Sequence, residues 1–302
     1  MNSKSVEIRR IIIFYLLALL PLCVLVLALN AFYGERIFVS EKAAMAAYAV
    51  TAAAMFSPAV AQILTRLLTK EGFRDTYLAL NAKGNMKYYV ASVAVKLAES
   101  FAGVFVIWLI FMRDMRFGEV FGQENMRQGF PVFLMQIASS VIVFFPAFGE
   151  EFGWRGYLMP KLIRLVGKPR AILVGGILWG LWHVPVTVSG HNFGVNYPLY
   201  PWLGILLMCA LCIPMNAFLT LLTERTKSVY PASFCHAVNN NLSFMILFSY
   251  FGTEAAVEKI AEKSAIALFG VTWPFLAATG IVSYILLTRE KQDDAAVAPP
   301  AK

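Results

Sequence analysis

Charge is scarce in this sequence. Only 15% of its 302 residues are charged, while 59% are hydrophobic. A soluble domain usually carries about 25% charged residues. Too few charges remain to cover the surface of a soluble globule of this size. The shortage argues against a disordered chain, a secreted disulfide scaffold and a nucleic-acid-binding domain. Histidine and cysteine are scarce too, with three and four residues. Cys23, Cys209, Cys212 and Cys235 all sit in apolar surroundings. The Cys209–Cys212 CxxC falls within an apolar run and reads as packing rather than a redox pair or metal clip. No repeat and no Gly/Ser linker divides the chain. A single membrane domain over 1–302 is expected, with a short disordered tail at 293–302.

What the chain has in abundance is long uncharged intervals. There are 24 uncharged residues between Arg10 and Glu35, 23 between Lys42 and Arg66, and 22 between Arg127 and Glu150. Further along come 53 between Arg170 and Glu224, 26 between Lys227 and Glu254, and 25 between Lys263 and Arg289. Roughly 20 apolar residues of helix cross a hydrocarbon core of about 30 Å. The 53-residue interval holds two such segments, parted by the turn-rich stretch 191–198. A segment at 88–112 carries Lys96 and Glu99 at i, i+3, which can neutralise each other. Eight spans are predicted, at 11–33, 43–65, 88–112, 131–152, 171–189, 201–222, 229–250 and 265–288. The architecture is thus an all-α, polytopic integral membrane protein. The first run is expected to be a span, because it lacks a small-residue cleavage site.

Basic residues give the orientation. With the N-terminus in the cytoplasm, 18 of the 26 Lys and Arg lie on the cytoplasmic side and 7 outside, and Lys96 is within a span. This asymmetry predicts cytoplasmic N- and C-termini. The net charge of +8 then reads as topology and attraction to anionic lipid, not to nucleic acid.

Three polar clusters interrupt the apolar pattern, and ionisable groups inside a membrane are functional candidates. The first is Glu150-Glu151 followed by Arg155. Glu151 and Arg155 lie at i, i+4 with Glu first, the favourable order for a helical ion pair. Glu150 lies about 100° round the helix and is left as the unpaired acid, suited to general-base work. The alternative is an interfacial helix end whose acids face water. The second cluster is Trp179 and His183, one turn apart in an apolar helix. By itself His183 also reads as a core histidine bonded to a backbone carbonyl. The third is His236, Asn239, Asn240 and Asn241, with His236 and Asn240 on one helix face. Together they supply a base, two imidazoles and an amide donor, the parts needed to split a peptide bond with activated water.

These residues resemble the CPBP intramembrane proteases, the family of the Rce1-type CAAX endopeptidases and the bacterial Abi proteins. The Glu-Glu-x-x-x-Arg motif is matched by Glu150, Glu151 and Arg155. The Phe-x-x-x-His motif is matched at His183, with Trp179 in place of Phe. The His-x-x-x-Asn motif is matched by His236 and Asn240. The motif-bearing core covers about 130–250. The resemblance implies an intramembrane glutamic endopeptidase acting on a membrane-associated peptide or prenylated protein. In it Glu150 would activate water, His183 and His236 would orient water or substrate, and Asn240 would stabilise the oxyanion. Arg155 would hold Glu151, and Trp179 would keep an aromatic wall. No cofactor is implied. One Glu and two His leave zinc open as an alternative, although the sequence has no His-Glu-x-x-His. A bacterial or archaeal cell membrane is the expected location. The competing reading is a non-enzymatic scaffold, immunity factor or transporter, but no inverted repeat supports transport.

Depth raises a difficulty. Glu150 and His236 are expected near the cytoplasmic ends of their helices. A span beginning at Ala171 would put His183 about 18 Å further in. Meeting the acids would require that helix to start earlier or to tilt. Gly176 and Gly180, at small-xxx-small spacing, would permit the close packing involved. His191 reads as an ordinary loop residue.

Overall fold

The computed structural model describes residues 3–34 and 40–297, and no strand occurs among them. The elements are α1 (Ser3–Tyr33), α2 (Glu41–Ala54), α3 (Ser57–Leu68), α4 (Met86–Phe111), α5 (Phe117–Val120) and α6 (Gln123–Gly153). A π-helical turn, Trp154–Leu158, joins α6 to α7 (Met159–Trp182). Then follow α8 (Val184–Thr187), α9 (Trp202–Thr226), α10 (Tyr230–Asn241), α11 (Phe244–Phe251), α12 (Glu254–Ala261) and α13 (Ala265–Val297). Ser40 caps α2, accepting from the Ala43 amide. Pro58 and Pro231 stand in the first turns of α3 and α10, where a missing N–H costs nothing.

Among the described residues, six helical stretches are long and apolar enough to cross a membrane: Lys4–Tyr33, Glu41–Leu68, Met86–Phe111, Gln123–Trp182, Trp202–Thr226 and Ala265–Arg289. Leu16, Leu20, Val24 and Leu27 on α1, and Met135 and Ile142 on α6, stand more than half exposed. Such apolar surface belongs against lipid. The molecule is an all-α, multi-pass integral membrane protein. Helix covers most of each of the eight expected segments, but length and hydropathy do not give a count of eight. The expected spans 131–152 and 171–189 belong to the single stretch Gln123–Trp182. The expected span 229–250 is broken at 242–243 into α10 and α11, each too short to cross. The expected tail, 293–302, begins inside α13, which runs to Val297. Charged and alanine residues favour helix there until Pro299 and Pro300, and 298–302 lie outside the described residues.

The depth difficulty resolves in this stretch. The helix does not end at the glutamates. It continues through the π turn into α7, so Glu150 lies about 16 Å of helix above Lys161. The chain then reverses at Gly167, whose φ of 78° is open to glycine at little cost. The second half of α7 climbs back and carries Trp179 and His183 to the level of the acids. Glu150 is therefore inside the bundle, not near a helix end. Arg155, counted among the 18 basic residues of the cytoplasmic side, is 1% exposed. A charge that finds its partner inside a helix does not mark the end of that helix.

Close backbone approach holds this hairpin together. A Cβ on Gly176 would lie 2.6 Å from the Ile213 Cα, and one on Gly180 would lie 2.7 Å from the Cys209 Cα. These two glycines let α7 pack directly against α9, as their spacing suggests. On α6, Gly153 meets Pro58 of α3 in the same way, with 2.3 Å to Pro58 Cβ.

The segments assigned by charge to one side also gather at one end. Lys161 Nζ donates to Glu7 at 2.9 Å and is bonded to Glu71. Asn81 Nδ2 donates to the Thr226 carbonyl at 3.0 Å, and Arg225 reaches the Leu286 carbonyl at 3.4 Å. At the opposite end Lys259 pairs with Asp114 at 2.5 Å.

Substituting Gly176→Leu forces a side chain into the Ile213 backbone. Overpacking of this kind costs about 1–3 kcal/mol. Thermal unfolding in detergent should shift to lower temperature, and an unchanged midpoint would refute the direct α7–α9 contact.

Candidate active site

The last turn of α6 and the π turn present one buried charged face. Glu150 is 2% exposed, Glu151 0% and Arg155 1%. Burial of three charges is costly unless each finds a partner. Arg155 Nη1 donates to Glu151 Oε1 at 3.0 Å, the pair expected from the i, i+4 spacing. Sequence reasoning missed a third member. His236 Nδ1 lies 2.7 Å from the same Glu151 oxygen. One carboxylate oxygen thus ties α6, the π turn and α10 together. Its other oxygen, Glu151 Oε2, and Arg155 Nε and Nη2 are buried without a hydrogen-bond partner.

Glu150 has a different partner. Trp179 Nε1 donates to Glu150 Oε2 at 3.0 Å. Trp179 was read only as an aromatic wall. Its indole N–H is a donor that a phenylalanine would lack, and this signal was available in the departure from the motif. The same ring lies under the Arg155 guanidinium at 4.2 Å, a cation–π contact. Its centroid is 5.4 Å from that of His236. Trp179 therefore touches every charged or titratable member of the cluster except Glu151, and its neighbour by one turn is His183.

His183 Nδ1 lies 2.8 Å from the Trp179 carbonyl. A carbonyl only accepts, so Nδ1 carries a proton, and Nε2 is left free of that bond. The backbone-bonded histidine considered from sequence is thus observed, and it is compatible with a site role through Nε2. His236 is anchored through Nδ1 as well, to a carboxylate. Both imidazoles present Nε2 outward from their anchors. The His183 ring is packed edge-on to Trp182 at 4.8 Å. It lies nearly parallel to His191 at 6.3 Å and 10°. His191, read as an ordinary loop residue, thus comes back over the site, and nothing in its local sequence signalled this.

The three asparagines separate. Asn241 is clamped to α6: Gln136 Nε2 donates to its Oδ1 at 2.8 Å, and its Nδ2 donates to the Gln136 carbonyl at 2.6 Å and to Ser140 Oγ at 2.9 Å. It joins helices. Asn240 follows His236 by one turn of α10 but is exposed, and among the described residues its side chain is bonded to Asn239 rather than to the buried acids. Its Oδ1 accepts from Asn239 Nδ2 at 3.2 Å, which turns its own amide N–H groups away from Asn239. Five of the seven expected residues therefore converge directly (Glu150, Glu151, Arg155, Trp179 and His236), His183 stands one turn along, and Asn240 stands apart at the rim. Among the described residues, no three His, Cys, Asp or Glu side chains form a metal-holding set. The four cysteines are free thiols.

The matches to known proteins fall on this same segment. Residues 131–242 match the family model of the type II CAAX prenyl endopeptidases, Rce1-like. That segment, 112 of the 302 residues, is what is similar to the family. Every member of the buried cluster lies inside it, which bears out the resemblance read from the motifs. The chain is also similar to CAAX prenyl protease 2 of Methanococcus maripaludis, with 26% identity over 139 residues. That alignment takes in 45% of this chain and 50% of that protein. The match thus spans about half the length of the curated relative.

Removing one partner of a buried ion pair leaves an uncompensated charge and costs about 3–5 kcal/mol. Arg155→Ala should therefore lower the thermal midpoint in detergent sharply, and Arg155→Lys should recover only part of the loss. A midpoint equal to wild type for Arg155→Ala would show that Glu151 is not buried against it.

Proposed function

We propose that this chain is an intramembrane endopeptidase of the CAAX-prenyl-protease kind. It hydrolyses a peptide bond in a membrane-associated substrate with a prenylated C-terminal tail, using water activated by Glu150. The observation that carries this reading is a buried carboxylate, Glu150, which among the described residues accepts from the uncharged indole of Trp179 alone. It stands beside a second acid, Glu151, that Arg155 and His236 already occupy. Glu150 is the acid left to take a proton.

The roles follow from the chemistry. Glu150 removes a proton from water, and the water oxygen attacks the scissile carbonyl carbon. Charge builds on the carbonyl oxygen; the resemblance gives its stabilisation to Asn240, which stands at the rim and would have to meet the substrate there. The C–N bond breaks as Glu150 returns the proton to the leaving amine. His183 and His236 offer Nε2 to position the water and the substrate. Glu151 and Arg155 hold His236 in place and take no part in the proton transfers. No metal is needed for this sequence. Both termini face the cytoplasm of a bacterial or archaeal cell, by the distribution of Lys and Arg, so the site is reached from that leaflet.

Purified protein in vesicles, given a farnesylated C-terminal peptide, should release the terminal residues. Glu150→Ala should reduce the rate by about 10²–10⁴, the usual contribution of general-base catalysis. A chelator should leave the wild-type rate unchanged. Equal cleavage by the mutant would remove Glu150 as the base, and loss of activity on chelation would favour the zinc reading.

A further inference from the structure

A second polar site lies at the basic end of the bundle, away from the acids. A cavity of about 250 Å³ is lined by Arg66, Glu71, Arg74, Asp75, Lys161 and Arg164, together with the Tyr157 ring. Its floor is built rather than incidental. Arg66 is 5% exposed and Lys161 2%. Arg66 Nη1 donates to the Gly72 carbonyl at 2.8 Å and the Arg74 carbonyl at 3.2 Å, so it fixes the loop that carries Arg74. The Tyr157 ring lies between the cations, 4.9 Å from the Arg66 guanidinium and 4.6 Å from Lys161 Nζ. Gly156 lets the loop close on the π turn, since a Cβ there would lie 3.1 Å from the Thr76 carbonyl oxygen.

The charges do not balance. Four cations line the cavity against two carboxylates. Glu71 is already shared, with Lys161 bonded to it, Arg10 at 3.4 Å and Arg66 at 3.7 Å. Asp75 makes no ion pair within 4 Å among the described residues, and neither do Arg74 and Arg164. The Nε of the buried Arg66 has no hydrogen-bond partner. An excess of guanidinium groups around a small polar cavity is the chemistry that takes up phosphate. Basic pockets between membrane helices, on the side rich in Lys and Arg, hold lipid head groups.

We propose that this cavity binds a phosphate group, contacted by Arg74 and Arg164 at its mouth and by Arg66 below. The group belongs either to an anionic lipid of the adjacent leaflet or to a soluble phosphate. Neither source depends on peptidase activity, so the site stands or falls separately from the reading of Glu150.

The test uses the full chain in zwitterionic nanodiscs. One arm measures retention of added phosphatidylglycerol against phosphatidylcholine by native mass spectrometry. The other measures the thermal midpoint in inorganic phosphate against chloride at equal ionic strength. Preferential retention of phosphatidylglycerol identifies the lipid source, and stabilisation by phosphate identifies the soluble one. Arg74→Gln with Arg164→Gln changes two exposed side chains and should weaken the preferred ligand roughly 30-fold. Lys83→Gln with Lys87→Gln removes the same charge outside the cavity and should leave binding within about twofold of wild type. No preference in either arm overturns the proposal. So does equal binding by the Arg74/Arg164 variant, or equal weakening by the Lys83/Lys87 variant, which would indicate a diffuse surface charge.

Discussion

Glu151 Oε1 accepts from Arg155 and from His236, and the geometry around it follows from that double contact. It fixes α6 against α10 at the point where α6 passes into the π turn. Arg155, held there, lies over Trp179 and so orients the climbing half of α7. Trp179 in turn donates to Glu150 and, through its carbonyl, holds His183. Three helices and a π turn are thus registered through one carboxylate oxygen. The π turn is part of this arrangement, because a wider turn after Glu151 changes the angle at which Arg155 returns to it. Such turns occur often at functional sites.

A buried ion pair is weak evidence for stability, because desolvation offsets much of the attraction. The pair here keeps three polar atoms without partners, so two apolar residues would serve the fold as well. What apolar residues would not do is hold a histidine ring by its Nδ1 beside an acid. The cost of Glu151 and Arg155 is understandable as the cost of placing His236 and Trp179. The phosphate cavity proposed at the basic end uses a related device, since Arg66 and Lys161 are buried beside Tyr157 and shape a loop rather than pair off completely.

The sequence made the membrane class legible, because lipid-facing positions need apolar side chains wherever they fall. It made the acids, the histidines and the Glu151–Arg155 pair legible, because helical spacing decides which side chains meet. It misjudged depth, because Glu150, Glu151 and Arg155 look like a helix end when charge alone is read. The backbone instead continues as helix through the π turn to Gly167. The Glu151–His236 contact was not legible, since it joins residues 85 apart. The indole donor of Trp179 was present in the sequence but looked like a change of volume. The parallel placement of His191 over His183 depends on a long loop whose path no local pattern sets. The breaking of the segment 229–250 had a signal in Asn239, Asn240 and Asn241, poor helix formers in a row, which drew attention as chemistry rather than as a helix end.

The central claim is a division of labour between adjacent glutamates, in which Glu151 positions and Glu150 reacts. Glu150→Gln and Glu151→Gln, isosteric changes made in parallel, separate the two when thermal midpoint and peptide turnover are measured on the same samples. The account predicts that Glu150→Gln keeps the wild-type midpoint and loses turnover, because the amide oxygen still accepts from Trp179. It predicts that Glu151→Gln lowers the midpoint, because Arg155 is left buried without a counter-charge. A Glu150→Gln protein that still turns over, or a Glu151→Gln protein as stable as wild type, would contradict it.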